Sequence, residues 1–204
     1  MEDELERVLG SVGGEALGAA AERAAAGVAA AAGREGLIDI ALARIDSPLG
    51  PLVALGTERG LLMLSYADES LDARLERAAA RVSPRILEAP ARLDPARREL
   101  EEYFSGTRRA FGIPIDWSLI SGYARAVLEA TNAIPYGGAM SYAEVSAAAG
   151  NPRGARATGN ALGSNPIPIV IPCHRVLRSG GALGGYTGGT ERKRFLLALE
   201  RRDL

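Results

Sequence analysis

Hydrophobic and polar residues change their spacing along the chain, and three apolar runs follow one another from Leu37 onward. These runs read LIDIALARI, PLVALGT and GLLMLSY, and in the first two of them apolar residues alternate with small or polar ones. The turn sequence Ser47-Pro48-Leu49-Gly50 separates the first two runs, and Glu58-Arg59-Gly60 separates the last two. Alternation with a period of two between turn residues is typical of β-hairpins. We therefore predict three short strands.

Two helices are predicted after these strands. Apolar residues recur on one side of Leu71–Val82, as in an amphipathic helix. A second helix is indicated over Pro95–Phe104, with Asp94 as its cap and Pro95 at its first position. Together the strands and helices predict a compact α/β N-terminal domain over residues 37–117.

Beyond residue 117 the spacing becomes helical. We predict one helix over Gly122–Ala133 and a short helix capped by Ser141, with Glu144 completing a capping box. Gly150-Asn151-Pro152 ends the short helix, and Pro152 begins the next one, PRGARATGNALG. Two short helices joined by a tight turn form a helix-turn-helix candidate. Residues 118–204 are therefore predicted to form a mainly helical C-terminal domain.

The first 36 residues differ from the rest because they are dominated by Ala, Gly and Glu. Leu5, Val8, Leu9 and Val12 have helical spacing, but the segment offers little bulk to bury. We expect residues 1–36 to form a helical or partly disordered extension.

Composition points to a soluble globular protein, with 47% hydrophobic residues and a mean hydropathy of +0.02. No stretch approaches the roughly 18 uninterrupted apolar residues that a membrane helix requires. The acidic start Met1-Glu2-Asp3-Glu4 is the reverse of the basic region that opens a signal peptide. We expect a cytoplasmic protein with no membrane association.

Charge is distributed unevenly, although the formal net charge is only -1. From Leu119 to the end there are ten basic and five acidic residues, so this part carries a net charge of +5 and the remainder -6. Such asymmetry permits a polyanion on the C-terminal half.

The second helix of the helix-turn-helix candidate is slender. Apart from Arg153, Arg156 and Leu162, its residues from 153 to 163 are Gly, Ala, Thr or Asn. Glycine lowers helix propensity, so close approach to another surface must offset that cost. That surface is either a neighbouring helix or a narrow groove of DNA, with an arginine as a probe.

The only cysteine and the only histidine of the chain are adjacent in IVIPCHRV, as Cys173 and His174. One thiol and one imidazole cannot form an intramolecular disulfide or a structural zinc site, so no metal is expected. The preceding run IPIVI, broken by prolines, predicts an edge or irregular strand buried on both sides. A thiol leaving such a strand beside an arginine predicts a depressed pKa, and the alternative is a buried, inert cysteine.

Four collinear stretches between Ile38 and Glu200 resemble the O6-alkylguanine-DNA alkyltransferases, also called methylated-DNA–protein-cysteine methyltransferases. They are SPLGPLVALGTERGLLMLSY, IPYGGAMSYAEVSAAAGNP, ARATGNALGSNPIPIVIPCHRV and GGYTGGTERKRFLLALE. Collinear motifs over that span argue against chance similarity. The resemblance implies a ribonuclease H-like α/β N-terminal domain with a small antiparallel sheet, and a winged-helix-like C-terminal domain with a helix-turn-helix.

The resemblance also implies the chemistry. Cys173 matches the acceptor whose thiolate attacks the alkyl carbon on guanine O6, and His174 matches the base that activates it through a water. Glu200 matches the carboxylate that orients this imidazole, and Asn165 matches the asparagine that fixes the turn before the cysteine. Tyr142 matches a tyrosine that crowds the 3' phosphate and donates a proton toward the departing guanine.

A target base inside a duplex must be rotated out before it can react. By resemblance, Arg156 fills the place that the base leaves. Further helix residues lie along the minor groove, namely Ala155, Gly159, Asn160 and Gly163. The resemblance implies that Pro168 and Tyr186 form the walls of the slot for the base and its alkyl group. It also implies that the backbone around Cys173 and Val176 reads the guanine edge.

Two departures from the family pattern lie beneath this helix. The family usually carries Gln and Trp where this chain has Tyr123 and Leu128, so we expect the packing there to differ. The zinc ligands found in the N-terminal domain of some members are absent from this chain.

These features predict a single-turnover repair protein that needs no cofactor, acts on double-stranded DNA carrying O6-alkylguanine, and is a monomer. Activity on O4-alkylthymine and cooperation between molecules on DNA are open at this point. One alternative is a sensor that flips the alkylated base without transfer, although such relatives lack the cysteine. Another is a thiol hydrolase, although those enzymes place histidine far from cysteine in sequence and need an oxyanion site.

Overall fold

The computed structural model describes residues 31–201 continuously and, before them, residues 18, 20–21, 23–25 and 27–29. The described residues between 18 and 34 are helical, and Ala29 is buried as part of the hydrophobic core. The apolar spacing noted from Leu5 to Val12 lies outside the described residues. No helix in the described part of the chain is long and apolar enough to span a bilayer.

The N-terminal domain contains a four-stranded mixed sheet with the order β3-β2-β1-β4. The predicted strands are present as β1 (Ile40–Ile45), β2 (Leu52–Thr57) and β3 (Gly60–Tyr66), paired antiparallel. A fourth strand, β4 (Ile86–Glu88), pairs parallel with β1, so the sheet is mixed and not antiparallel throughout as the resemblance implied. The fourth strand was not predicted, because three residues are too few to display an alternating pattern.

Two helices accompany this sheet, α1 (Leu71–Arg81) and α2 (Asp94–Phe104). Ser70 caps α1 by accepting a hydrogen bond from the backbone of Ala73. The predicted cap of α2 is wrong: Asp94 is already helical, because a 3-10 turn over Pro90–Leu93 leads directly into the helix.

The C-terminal domain is mainly helical, as predicted. Its helices are α3 (Gly122–Asn132), α4 (Tyr142–Ala148), α5 (Ala155–Gly163) and α6 (Thr190–Arg201). The short strands β5 (Met140–Ser141) and β6 (Val176–Leu177) pair in parallel. Single 3-10 turns cover Trp117–Leu119 and Cys173–Arg175.

The helix-turn-helix is formed by α4 and α5. The capping box of α4 is confirmed, since Ser141 and Glu144 exchange both hydrogen bonds. The start predicted for α5 at Pro152 is wrong, because the Gly154 amide bonds back to the Asn151 carbonyl in a turn. The helix therefore begins only at Ala155.

The run IPIVI is buried as predicted but is not a strand. Residues 166–171 form successive bends and turns, with the Ile171 amide donating to the Ile167 carbonyl at 2.9 Å. Proline at three positions between 166 and 172 removes the donors that a sheet ladder needs. Ile169 has a φ of 74°, a left-handed conformation that costs energy for a β-branched residue.

The two domains contact each other around this segment. The Leu64 amide of β3 donates to the Pro166 carbonyl at 2.8 Å. Apolar residues from both domains form one continuous core. The segment that leads to Cys173 therefore packs directly on the edge of the N-terminal sheet.

Candidate active site and DNA-binding surface

Cys173 lies in a tight turn and is held by Asn165. The Asn165 amide donates to Cys173 Sγ at 3.2 Å and to the Ile171 carbonyl at 3.0 Å, and its oxygen accepts from the Ile167 amide at 3.0 Å. The Cys173 residue is only 5% exposed. Asn165 therefore determines both the path of the turn and the surroundings of the sulfur.

The electrostatics of this thiol differ from the sequence-based prediction. Burial raises the pKa of Cys173 to about 11, although the Asn165 hydrogen bond and the charge of Lys193 lower it. The predicted depressed pKa is therefore wrong for the protein without substrate. The reason is burial of the thiol, and the Arg175 guanidinium, which is bound to Glu200, does not offset it.

His174 and Glu200 form a buried pair. His174 Nε2 lies 2.8 Å from Glu200 Oε1, and both side chains are almost fully inaccessible. Burial lowers the pKa of His174 even though its hydrogen bond with Glu200 opposes this, so the imidazole is neutral. Since the carboxylate accepts from Nε2, the proton lies on Nε2 and Nδ1 carries a free lone pair. Nδ1 is buried and has no hydrogen-bond partner among the described residues.

Glu200 collects further donors. Arg175 binds it through Nε and Nη2 at 3.0 and 2.8 Å, Tyr103 donates at 2.8 Å, and the Gly137 amide donates at 3.2 Å. Burial raises the pKa of Glu200, but the hydrogen bonds from His174 and Arg175 outweigh it and lower the value to about 2. The carboxylate is therefore ionised and fully bonded. The contributions of Arg175 and Tyr103 were missed from the sequence.

A cavity of about 240 Å³ lies over the thiol. Its lining residues are Tyr142, Gly159, Leu162, Gly163, Cys173, Gly185, Tyr186 and Thr187. Tyr142 and Tyr186 are thus brought to the cavity, as the resemblance implied. Pro168 and Val176 are buried and are not among the residues that line it, and the Val176 carbonyl accepts a hydrogen bond from Lys193.

Lys193 is a third residue that sequence reasoning missed. It is fully buried, and its Nζ donates to the Val176 carbonyl at 2.6 Å and to the Gly185 carbonyl at 3.4 Å. Burial lowers the pKa of Lys193, and the nearby Cys173 opposes this. Helical spacing could have located it, because Lys193, Leu196 and Glu200 share the buried face of α6.

Most residues exposed on the slender helix α5 have small or polar side chains. Thr158, Ala161 and Leu162 face the core, whereas the residues expected at the DNA are exposed, namely Ala155, Arg156, Asn160 and Gly163. Gly159 is half-buried, and together with Gly163 it borders the cavity over Cys173.

The two explanations for the small residues of this helix can now be separated. A Cβ on Gly154, just before the helix, would lie 2.3 Å from Asn151 Nδ2 and 2.9 Å from the Tyr123 hydroxyl, so a side chain there would displace its neighbours. A Cβ on Gly163 would meet nothing within 4 Å, and one on Gly159 would make only an ordinary 3.8 Å contact with Tyr142. Packing among the described residues therefore does not explain Gly159 and Gly163.

The departure at Tyr123 creates a polar bridge beneath the helix-turn-helix. Its hydroxyl lies 2.9 Å from Thr158 Oγ1 and 3.2 Å from Ser146 Oγ, so it joins α3, α4 and α5. Leu128 is fully buried in the same domain. The hydrogen-bonded tyrosine supports the recognition helix directly, whereas Leu128 belongs to the hydrophobic core.

Fold and site together define a helix-turn-helix protein with a cysteine–histidine–glutamate cluster beside its recognition helix. Residues 40–117 match the family model of the 6-O-methylguanine DNA methyltransferase ribonuclease-like domain, and residues 122–202 match that of the DNA binding domain. The chain belongs to the methylated-DNA–protein-cysteine methyltransferase family. The predicted two-domain fold class is thereby confirmed.

Relatives and solved structures agree with this assignment. The methylated-DNA–protein-cysteine methyltransferase of Mycolicibacterium paratuberculosis is 40% identical over 158 residues, which cover 78% of this chain and 90% of the relative. The constitutive enzyme of Bacillus subtilis is 36% identical over 160 residues, covering 76% and 92%. The Mycobacterium tuberculosis O6-methylguanine methyltransferase structure aligns with a TM-score of 0.69 at 35% identity, covering 81% and 94%. A Mycobacterium tuberculosis OGT structure in complex with DNA aligns with a TM-score of 0.68 at 35% identity, covering 79% and 93%.

Proposed function

We propose that the protein repairs alkylated DNA directly, moving the alkyl group from guanine O6 in a duplex to Cys173. The observation that carries this proposal is the cavity in which the only thiol of the chain lies next to the recognition helix α5. The sulfur–carbon bond forms as the carbon–O6 bond breaks, and the alkyl group stays on the protein as a thioether. Each molecule therefore acts once and requires no cofactor.

The raised pKa of the thiol explains why a base is needed. With a pKa of about 11, forming the thiolate at pH 7 costs roughly 5 kcal/mol. His174 Nδ1 has a free lone pair and supports a relay in which the thiol proton passes to the imidazole through a water. Glu200 stabilises the imidazolium that forms, because its carboxylate is ionised and fixed by Arg175.

The departing guanine must in turn receive a proton. We assign this step to Tyr142, which lines the cavity and whose pKa is raised by burial, so the hydroxyl keeps its hydrogen. Asn165 acts by positioning the sulfur, to which its amide donates. Tyr186 forms a wall of the base slot. Pro168 and Val176 are buried and do not line the cavity, so we assign them no direct contact with the base.

Access to the cavity requires base flipping, because O6 of a stacked guanine cannot reach a nearly buried sulfur. The exposed Arg156 is suited to fill the space left in the duplex, while Ala155, Gly159, Asn160 and Gly163 allow α5 to approach the minor groove. Recognition through phosphates and groove width predicts salt-dependent binding with little sequence preference. The same proposal has the protein acting as a monomer on chromosomal DNA in the cytoplasm.

The test is an intact-mass measurement after incubation with a duplex that contains one O6-methylguanine. We expect a gain of one methyl group per molecule on the peptide that holds Cys173, and no gain with unmodified duplex. Cys173→Ser should abolish the gain while retaining binding to the alkylated duplex. Tight binding of the wild-type protein without any mass change would instead indicate a sensor that flips the base without transfer.

A further inference from the structure

Tyr66 connects the N-terminal domain to the wall of the cavity. It ends β3, is 1% exposed, and places its hydroxyl 2.9 Å from the hydroxyl of Tyr186. The two rings meet edge to face, with centroids 6.4 Å apart and an interplanar angle of 69°. Because Tyr186 lines the cavity over Cys173, a residue of the other domain contacts a side chain of the cavity wall.

The ring of Tyr66 is itself held firmly. The Arg192 guanidinium lies 4.0 Å from the ring centroid, in a cation–π contact. Arg192 is fixed in turn by Asp68 at 3.0 Å and by the Gly188 carbonyl at 3.2 Å. A Cβ on Gly188 would lie 2.3 Å from the Tyr66 ring, so the loop packs on this ring as closely as a glycine allows. These contacts therefore fix the position of the Tyr66 side chain.

Tyr186, in contrast, lies on a segment with little structure of its own. Residues 182–186 belong to no helix or strand, and the loop before them contains Gly180 and Gly181, both with positive φ. Glycine-rich backbone has many accessible conformations, so an aromatic side chain on it needs an external anchor to hold one position. The Tyr66 hydroxyl supplies such an anchor.

The contact between the two hydroxyls is a neutral hydrogen bond over the physiological pH range. Burial raises the pKa of Tyr66 to about 12 and that of Tyr186 well above its usual value. Both hydroxyls therefore keep their hydrogens, and one donates to the other. The bond is not expected to change with pH in the range where repair occurs.

We propose that Tyr66 is a positioning residue that fixes Tyr186 and thereby sets the width of the alkyl slot. This inference rests on the proposed alkyl transfer to Cys173 and extends it to the range of adducts accepted. Tyr66 does not touch the reacting atoms. It acts through Tyr186, so its loss should change the discrimination between small and large alkyl groups more than it changes the reaction itself.

The test compares single-turnover rates of transfer from duplexes carrying O6-methylguanine and O6-benzylguanine. Tyr66→Phe keeps the ring and its contact with Arg192 and removes only the hydroxyl. We expect the ratio of benzyl to methyl rates to rise about fivefold, the change that one neutral hydrogen bond typically produces. Tyr123→Phe is the matched control, because it removes a tyrosine hydroxyl that bonds only inside the helix-turn-helix, and it should leave the ratio unchanged.

A double-mutant cycle with Tyr186→Phe makes the test specific. If the two hydroxyls act as a pair, the double variant should show the same rate ratio as Tyr66→Phe alone. An unchanged ratio, an equal slowing of both substrates, or effects that multiply in the double variant would overturn the role of Tyr66. Tyr186→Phe breaks the same bond from the other side, so the ratio is tested even if Tyr66→Phe does not fold.

The wild-type protein separates the two proposals. If the wild-type protein transfers the methyl group to Cys173 but the ratio of benzyl to methyl rates does not change in Tyr66→Phe, only the positioning role of Tyr66 fails. If the wild-type protein transfers no alkyl group, the proposed function fails and the inference fails with it.

Discussion

The hydroxyl of Tyr103, in α2 of the N-terminal domain, donates a hydrogen bond of 2.8 Å to Oε1 of Glu200, close to the end of the chain. The same oxygen accepts from His174 Nε2, also at 2.8 Å. The carboxylate that orients the candidate base is thus held from both domains. The N-terminal domain therefore contributes to the geometry of the site as well as to the core.

Replacing Tyr103 with Phe should lower the free energy of unfolding by about 1 kcal/mol, because one buried hydrogen bond is lost while Arg175 continues to satisfy the carboxylate. Urea unfolding measures this loss. The His174 imidazole resonances should also shift, since Glu200 loses a donor. Tyr123→Phe should cause a similar loss of stability without moving those resonances. Unchanged His174 resonances in the Tyr103 variant would contradict the proposed coupling.

Burial lowers the pKa of His174 below its usual value of 6.5, so the imidazole should be neutral in the folded protein at pH 6.5 and above. As the only histidine it gives one set of imidazole signals, and ¹⁵N NMR should show a proton on Nε2 and none on Nδ1. No titration should occur between pH 8 and 6.5.

The same depressed pKa has a consequence for stability. Below pH 6.5 the unfolded chain binds a proton at His174 that the folded protein does not bind. The free energy of unfolding should therefore fall as the pH decreases, by at most about 1.4 kcal/mol per pH unit from this residue. His174→Gln should remove this component of the slope. A folded-state titration midpoint at or above 6.5 would contradict the prediction.

Much of the fold could be predicted from spacing alone, and the exceptions have physical causes. The strands β1 to β3 are bounded by turn residues that mark hairpins, which made them predictable although β2 and β3 are buried along almost their whole length. The strand β4 is too short for a pattern, and the buried segment IPIVI is apolar because it packs against both domains, not because it is a strand. An apolar run indicates that a segment is buried, whereas proline within the run prevents the hydrogen-bond ladder of a β-sheet from forming.

The site could be predicted in part. Adjacent motifs and the family resemblance pointed to Cys173 and His174, which the structure places next to the cavity and Glu200 respectively. Arg175 and Tyr103 act through contacts with Glu200, from which they are 25 and 97 positions away in the sequence. No local sequence pattern encodes contacts over such separations. The pKa of the thiol was predicted in the wrong direction because burial cannot be judged from an adjacent arginine.

The thiol should therefore react slowly with small alkylating reagents. With a pKa of about 11, Cys173 at pH 8 should be alkylated by iodoacetamide roughly 100-fold more slowly than an ordinary thiol. The same protein in concentrated urea provides the matched control, because it contains no other cysteine. Intact mass follows the reaction over time. A rate–pH curve with its midpoint below 8.5 would show that the thiol is activated without substrate.

Stability at alkaline pH follows from the same raised pKa. The unfolded chain loses the thiol proton near pH 9, whereas the folded protein keeps it until about pH 11. The free energy of unfolding should fall as the pH rises through this window. Cys173→Ala should show a smaller fall, which thermal unfolding at pH 8 and pH 10.5 would measure.

Arg156 and Arg153 allow the role in base flipping to be separated from simple charge attraction. Both are exposed, and only Arg156 lies within α5. Arg156→Ala should slow transfer from duplex DNA about tenfold or more, because unstacking the base costs a few kcal/mol that the inserted side chain offsets. Arg153→Ala removes an equal charge from the turn before α5 and should weaken duplex binding only slightly. The slope of log affinity against log salt concentration should decrease by about one.

The free base O6-benzylguanine completes this comparison, because it can enter the cavity without being extracted from a duplex. Both arginine variants should react with it at the wild-type rate, measured as benzyl transfer by intact mass. A loss of free-base reactivity in Arg156→Ala would place this side chain in the chemistry of the cavity instead. Equal losses for the two variants on duplex DNA would reduce Arg156 to one more phosphate contact, and the filling of the vacated stack would then have to come from another exposed residue of α5.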